Sequence, residues 1–443
     1  MKENLTYTIL FAILMLFLFL PIIQDETALI KVKPLNGVNV KSEKVNLNME
    51  NFSSGKYQSH LETFISENFG LREPLIRIYN QYLWSFFRKS YCKNVVIGKD
   101  DWLYNEKSVK DHYEGLTLEY ADNEEELKNK LDKDVKRLKK LQTLLKERGT
   151  DIFVLMLPSK DLIYPEYLPK NVNYDNKNTI RPIDYFSEAF VQHEINFFNV
   201  SDYFKSIKDS VDFDLFPKNG MHWSNIACAY ISDSIIRYME HLSGDNYPNI
   251  RLSESYEADS KKPDDDMEDL LNLTFPIRHV ENKYADVSVI ADDSVKKPNL
   301  IVMGDSFFWN MTHSLPMDEI FNTYYYWYYF NTIYFDSEHN NVEEINLVKE
   351  LDKADVVMIS LSATQLYDIN HDFISQALIQ LSLNDDKVID EVLDGIKQRM
   401  RNDENWYNSL LKKAKEKGVT IEQVMTEDAI YIVNQEPEKY ISI

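Results

Sequence analysis

The sequence predicts an α/β fold with a parallel sheet flanked by helices. Three observations point there: short apolar runs at 151–158 and 355–360, amphipathic helical stretches between such runs, and an apolar run at 297–303 that stops at Gly304-Asp305-Ser306. Strands buried on both faces read as continuous apolar runs, and their alternation with helices argues for a parallel sheet.

Residues 1–24 are expected to form a membrane anchor. The stretch from Leu5 to Ile23 is uncharged and mostly apolar, and its 19 residues can cross a bilayer core at about 1.5 Å per residue. No small-x-small cleavage site follows it. Lys2 precedes the span and only acidic and mixed residues follow soon after, so the positive-inside bias puts the remainder outside the cytoplasm, on the periplasmic or cell-surface side.

Residues 25–92 then read as a spacer and a helical hairpin. The spacer carries Pro34 and Gly37, and the helical pattern of 56–88 breaks at 68–74. A main domain is expected over 93–384. It opens with two strand-like pieces at 94–104, separated by the turn residues Gly98 to Asp101. Leu131, Val135, Leu138, Leu141 and Leu145 are spaced for one buried face of a helix over 123–149, and the strand 151–158 follows. A helix-strand pair is predicted at 183–193 and 195–200, a long helix at 223–242, and strands at 301–303 and 355–360. The polar segment 243–297 reads as an inserted loop or small lobe, and its acidic run 261–269 reads as a solvated face. Residues 385–443 form an amphipathic helical extension that packs on the domain or on a partner.

Composition narrows the function. With 49 basic against 72 acidic residues, the formal charge of -23 repels a phosphate backbone, so nucleic-acid binding is excluded as the expected role. The 28 Tyr supply either core and surface packing or platforms for sugar rings. Two cysteines, Cys92 and Cys228, allow one disulfide at most. No CxxC, HExxH or clustered His-carboxylate pattern suggests a metal, and none is expected.

Two short motifs carry chemistry. A strand that delivers Ser306 at its carboxyl end, on a turn opened by Gly304, is how open α/β sheets present nucleophiles; the alternative is that Ser306 or Asp305 caps a helix. A serine hydroxyl needs a base, and His222 stands just after the turn Lys218-Asn219-Gly220 at a loop-helix junction, where it either reaches a cleft or bonds the turn.

The ordered set Gly98-Lys-Asp-Asp-Trp-Leu-Tyr104, Leu157-Pro-Ser-Lys160 with Tyr164-Pro-Glu-Tyr-Leu-Pro169, Gly220-Met-His-Trp223 and Val302-Met-Gly-Asp-Ser-Phe307 resembles the SGNH-hydrolase-like domain of the alginate O-acetyltransferase AlgX/AlgJ family, related to DHHW proteins. Asn68-Phe-Gly-Leu-Arg72 resembles a segment upstream of that domain. The resemblance implies an SGNH-type α/β domain in which Ser306 accepts an acetyl group, His222 is its base, and the acceptor is a hydroxyl of a secreted or surface polysaccharide. It also implies a multi-pass membrane O-acyltransferase as acetyl supplier and no diffusible cofactor. In that family an Asp commonly stands two residues before the His, where this chain has Gly220. The orienting acid is then sought nearby, at Asp305, Asp214 or Asp212, or the site is a Ser-His dyad. Backbone amides of Ser306 and Phe307 are expected to face the oxyanion, and Lys160, Trp223 and Gln365 to line the substrate cleft. One competing expectation is an acetylesterase in which the same Ser306 and His222 pass acetyl to water; the other, favoured by Gly220, is a catalytically impaired glycan-binding scaffold.

Overall fold

The computed structural model describes residues 2–37, 42, 46–114, 124–170, 181–277, 281–291, 294–436 and 439. Part of the expected spacer, residue 123 at the start of the expected long helix, and residues 440–443 lie outside that set. Among the described residues the strands are β1 (Val95–Ile97), β2 (Leu103–Asn105), β3 (Asp151–Leu157), β4 (Phe197–Asn199), β5 (Asn249–Leu252), β6 (Tyr256–Asp259), β7 (Glu281–Tyr284), β8 (Val287–Ile290), β9 (Asn299–Gly304), β10 (Thr323–Tyr328), β11 (Thr332–Tyr334) and β12 (Val356–Ser362).

The central sheet has the order β11-β10-β9-β12-β3-β4, parallel throughout except for the β10–β11 pair. Side chains alternate between its faces, as a two-residue period requires. Phe153, Leu155 and Leu157 join one apolar cluster, while Ile152, Val154 and Met156 join another. Helix Asn225–Ser243 packs on the first face; helices Glu124–Glu147, Pro182–Gln192 and Phe373–Leu383 pack on the second. The aromatic run at 324–330 is divided the same way: Tyr326 is buried on one face and Trp327 on the other. Packing, not sugar stacking, therefore occupies its central residues.

Gly304 ends β9 where any side chain would collide. A Cβ there would lie 2.4 Å from the Ser360 carbonyl oxygen of β12. The bare backbone lets β9 and β12 stay paired up to the turn that carries Ser306.

The segment expected as a lobe forms two antiparallel ribbons, β5 with β8 and β6 with β7, and the short helix Asp266–Leu271 lies between β6 and β7 in the chain. That helix buries Met267 and Leu271 against Trp84, Val95 and Leu103. Toward the amino terminus, helix Lys2–Thr27 is long and apolar enough over Leu5–Thr27 to cross a membrane. At the other end, helices Asp386–Asn402, Glu404–Lys417 and Ile421–Gln435 share a separate apolar cluster of their own. Cys92 and Cys228 are both free thiols, so the optional disulfide is not formed.

Candidate active site

Ser306 stands on the turn between β9 and helix Phe308–Ser314, at the carboxyl end of the parallel strands where α/β sheets open their clefts. The turn is clamped by its neighbour. Asp305 is 1% exposed, and its two carboxylate oxygens accept the amides of Phe307 (3.1 Å) and Ser362 (2.8 Å). Burial raises the Asp305 carboxyl above the usual range, and the bonds from Ser362 and Phe307 oppose that shift. Asp305 thus ties the serine turn to β12 and does not reach His222.

His222 comes from the loop before helix Asn225–Ser243. That helix begins two residues later than its sequence pattern suggests because Ser224 takes the cap position, its Oγ accepting the Ala227 amide at 3.2 Å. His222 Nε2 lies 2.8 Å from Ser306 Oγ, and the imidazole sits edge-on to the Phe307 ring at 4.8 Å between centroids. Nδ1 faces a carboxylate at 2.6 Å, and the carboxylate is that of Asp266.

Asp266 comes from the acidic insertion. Its Oδ2 faces His222 while Oδ1 accepts the Met221 amide at 2.7 Å, so both oxygens are held by the histidine loop. The amides of Met267 and Glu268 donate to the Asn219 carbonyl at 3.1 Å each, and the Asn219 side-chain amide donates to Glu268 Oε2 at 2.8 Å. Asp264, fully buried, accepts the Asn225 amide at 3.1 Å. The run expected to be a solvated acidic face is thus stitched to the histidine loop.

Gly220 has a physical reason as well. A Cβ at that position would approach Pro217 Cγ at 2.6 Å and the Asp264 carbonyl oxygen at 2.7 Å. The segment delivering Asp266 occupies the volume that a side chain at 220 would need. The acid is therefore supplied from position 266, and the candidates closer in sequence are engaged elsewhere. Asp214 presents its main-chain carbonyl to Ser224 Oγ (2.6 Å) and is among the residues bordering a different cavity. Asp212 pairs with Lys283 at 2.6 Å.

A cleft of about 290 Å³ opens beside Ser306, bordered by Asn105, Lys160, Phe307, Tyr329 and Gln365 among others. Gln365, expected from the sequence as a cleft residue, is among the residues bordering this cavity. Lys160 borders the cleft but is 3% exposed, and its ammonium donates to the carbonyls of Leu103 (2.8 Å) and Lys218 (3.1 Å). Burial pushes its pKa down to about 7. It braces the histidine loop against β2 and has little to offer a substrate. Trp223 is fully buried, donating its indole N–H to the Phe307 carbonyl at 3.1 Å, so it corrects the expectation of a cleft residue. The Phe307 amide is likewise taken, by Asp305, and is not available to an oxyanion.

Residues 95–308 match the family model described as the SGNH hydrolase-like domain of acetyltransferase AlgX. This segment is an SGNH hydrolase-like domain similar to that of AlgX. Among solved structures, the fold is similar to the O-acetyltransferase domain of Pseudomonas putida AlgJ, with a TM-score of 0.42 and 14% identity over 64% of this chain and 98% of that one. It is similar to Pseudomonas aeruginosa AlgX with a TM-score of 0.37 and 13% identity over 62% and 67%. For Bacillus cereus PatB1 the values are 0.35 and 12% over 61% and 96%. Comparison with curated proteins gave no match. The residue facing His222 Nδ1 that sequence reasoning missed is Asp266. The signal for it was indirect: a glycine at 220, where the resemblance led to a carboxylate being expected, together with an acidic run downstream.

Proposed function

We propose that this chain is an extracytoplasmic O-acetyltransferase that moves acetyl groups onto hydroxyls of a secreted or cell-surface polysaccharide. The observation that carries the reading is the continuous hydrogen-bonded series Ser306 Oγ, His222, Asp266, at 2.8 and 2.6 Å. In the first half-reaction His222 Nε2 removes the Ser306 proton as Oγ attacks the acetyl carbonyl, and the Asp266 carboxylate holds the imidazole in the tautomer with a proton on Nδ1. The tetrahedral intermediate collapses, the donor's oxygen leaves with the proton from Nε2, and acetyl-Ser306 remains. In the second, His222 deprotonates an acceptor hydroxyl, whose oxygen takes the acetyl group and restores the serine. With the Phe307 amide engaged, the candidate oxyanion donors are the Ser306 amide and the second N–H of the Asn105 side-chain amide, whose nitrogen also donates to the Met221 sulfur at 3.3 Å.

The apolar helix over Leu5–Thr27 supports attachment to a membrane, and the family resemblance supports a multi-pass acyltransferase as the source of acetyl. The test is transfer of labelled acetyl from an acetyl ester to a glycan by the purified full chain. Label on the glycan that disappears in Ser306→Ala is the expected result. Free acetate with no labelled glycan, across a panel of acceptors, would make the chain an acetylesterase. Full glycan labelling by Ser306→Ala would remove the serine mechanism altogether.

A further inference from the structure

Helix Arg72–Phe87 has two faces of different kinds. Asn80 and Trp84 are its buried residues: the Asn80 amide donates to the Leu271 carbonyl at 2.8 Å and Trp84 packs with Met267 and Leu271. The opposite face is apolar and uncovered. Leu75, Ile78, Tyr79, Tyr82 and Phe86, spaced at i, i+3, i+4, i+7 and i+11, fall in one stripe and are 49% to 75% exposed. Phe87 and Tyr91 extend it past the helix end. A soluble domain rarely leaves such a patch in water.

Two further observations name what covers it. The first is position. A Cβ on Gly70, two residues before the helix, would lie 2.2 Å from the Pro21 carbonyl oxygen and 2.8 Å from the Asp25 amide nitrogen. The helix therefore starts in contact with the end of the apolar helix Lys2–Thr27, at the level where a spanning segment leaves the bilayer. The second is charge. Residues 72–93 hold Arg72, Arg77, Arg88, Lys89 and Lys93 against Glu73 alone, in a chain whose formal charge is -23. Arg77 donates to the Pro34 and Leu273 carbonyls and Arg88 pairs with Asp101 at 3.2 Å, while Lys89 and Lys93 are exposed at the helix end. Tyr, Phe and basic residues beside a span are the composition of helices that lie in the headgroup region, and a basic cluster there is attracted by anionic lipid.

We propose that helix Arg72–Phe87 lies in the membrane interface, its Leu75-to-Phe86 stripe among the lipid headgroups and acyl-chain ends and its Asn80–Trp84 face supporting the helix that bears Asp266. The inference rests on the reading of Lys2–Thr27 as a membrane anchor. The helix is about 24 Å long at 1.5 Å per residue, so it fixes the orientation of the domain and not only its distance from the bilayer. The Asp266 helix, packed on its other face, is then held against the bilayer's surface layer.

The full chain, carrying Cys92→Ser so that only buried Cys228 remains, is reconstituted in vesicles of mixed anionic and zwitterionic lipid. An environment-sensitive thiol dye is placed in turn at Leu14→Cys, Phe86→Cys and Glu257→Cys. Nitroxides are carried either near the lipid headgroup or at the acyl-chain end. We expect the dye at 14 to be quenched by the deep nitroxide, the dye at 86 by the shallow one, and the dye at 257, on the exposed strand β6, by neither. An unquenched dye at 14 overturns the anchor itself. Quenching at 14 without quenching at 86 overturns the interfacial helix while leaving the anchor standing. Disulfide trapping of two undyed Phe86→Cys chains to each other, in place of lipid quenching, would assign the stripe to a second copy and equally overturn the proposal. A dye added at Tyr82→Cys guards against local damage at 86 and must report the same depth.

Discussion

At the scale of single residues, the exchange between positions 220 and 266 decides how the candidate site works. A glycine at 220 and a carboxylate at 266 are two sides of one packing solution, because the Asp264 backbone fills the space beside Gly220 while Asp266 reaches Nδ1. Asp266→Asn should leave the fold intact, since the amide oxygen can still accept the Met221 N–H, yet favour the wrong imidazole tautomer. Turnover is expected to fall roughly a hundred- to ten-thousand-fold with KM little changed. Adding Gly220→Asp to that variant should not restore it, because the new Cβ has no room. Recovery of steady-state rate in the double variant would show that the two positions are interchangeable and that the packing argument fails.

Asp264, two residues away, gives a prediction about pH. Burial, with the nearby charges of Asp266 and Asp265 adding to it, pushes its carboxyl from 3.8 to about 7. The folded chain keeps that proton up to near neutral pH, whereas the unfolded chain releases it at the ordinary carboxyl value. The folded state therefore binds more protons across that window, and stability falls as pH rises through it. Asp264→Asn keeps an oxygen for the Asn225 amide and has no proton to lose. Its stability relative to the parent, read by urea denaturation, should increase between about pH 4 and pH 8, by no more than about 4 kcal/mol. A difference that stays flat with pH would mean that Asp264 titrates normally.

At the scale of elements, the turn after β9 depends on Asp305 serving two strands at once. Asp305→Asn offers one acceptor oxygen where two amides, those of Phe307 and Ser362, now donate. One buried N–H is left without its partner, which costs about 1–3 kcal/mol. A lowered melting temperature accompanied by lost activity is expected, whereas an unchanged melting temperature would argue that water replaces the bond. The elements themselves were legible in the sequence: β3 and β12 as apolar runs, and helix Glu124–Glu147 as a stripe of Leu and Val, because local period alone decides which faces are buried. The pairing of His222 with Ser306 was legible through motif order. Asp266 was not, since it lies 44 residues from His222 in the chain and reaches it through an inserted segment whose path no local pattern encodes. Trp223 was misread for the same reason, and Lys160, which does border the cleft, has its ammonium turned to main-chain carbonyls. Both types serve clefts elsewhere, and only the tertiary contacts with Leu103, Lys218 and Phe307 show them spent on bracing.

At the scale of the whole molecule, the carboxyl-terminal helices and the AlgX-like domain stand as separate packing units. Leu393, Ile396, Met400, Leu410, Val424 and Val433 bury one another in a cluster distinct from both faces of the central sheet. The join runs through Leu383, at the end of helix Phe373–Leu383, which packs against that cluster while the rest of its helix belongs to the sheet's second face. None of Ser306, His222, Asp266 or the cleft residues lies in the three-helix unit. A chain ended after Asn384 removes the whole cluster and exposes little of the sheet's core, so the domain should still fold. Its turnover of a soluble acetyl ester should stay within about two-fold of the full chain, as expected for distant sites with no shared partners. The same truncation tested on a polymeric glycan separates two roles for the unit. If ester turnover is kept and glycan acetylation is lost, the three helices hold the acceptor or a partner, and if both are kept they do neither. Loss of ester turnover in a truncated chain that still melts cooperatively would show that the unit supports the Ser306 cleft from a distance, against the separation of cores described above.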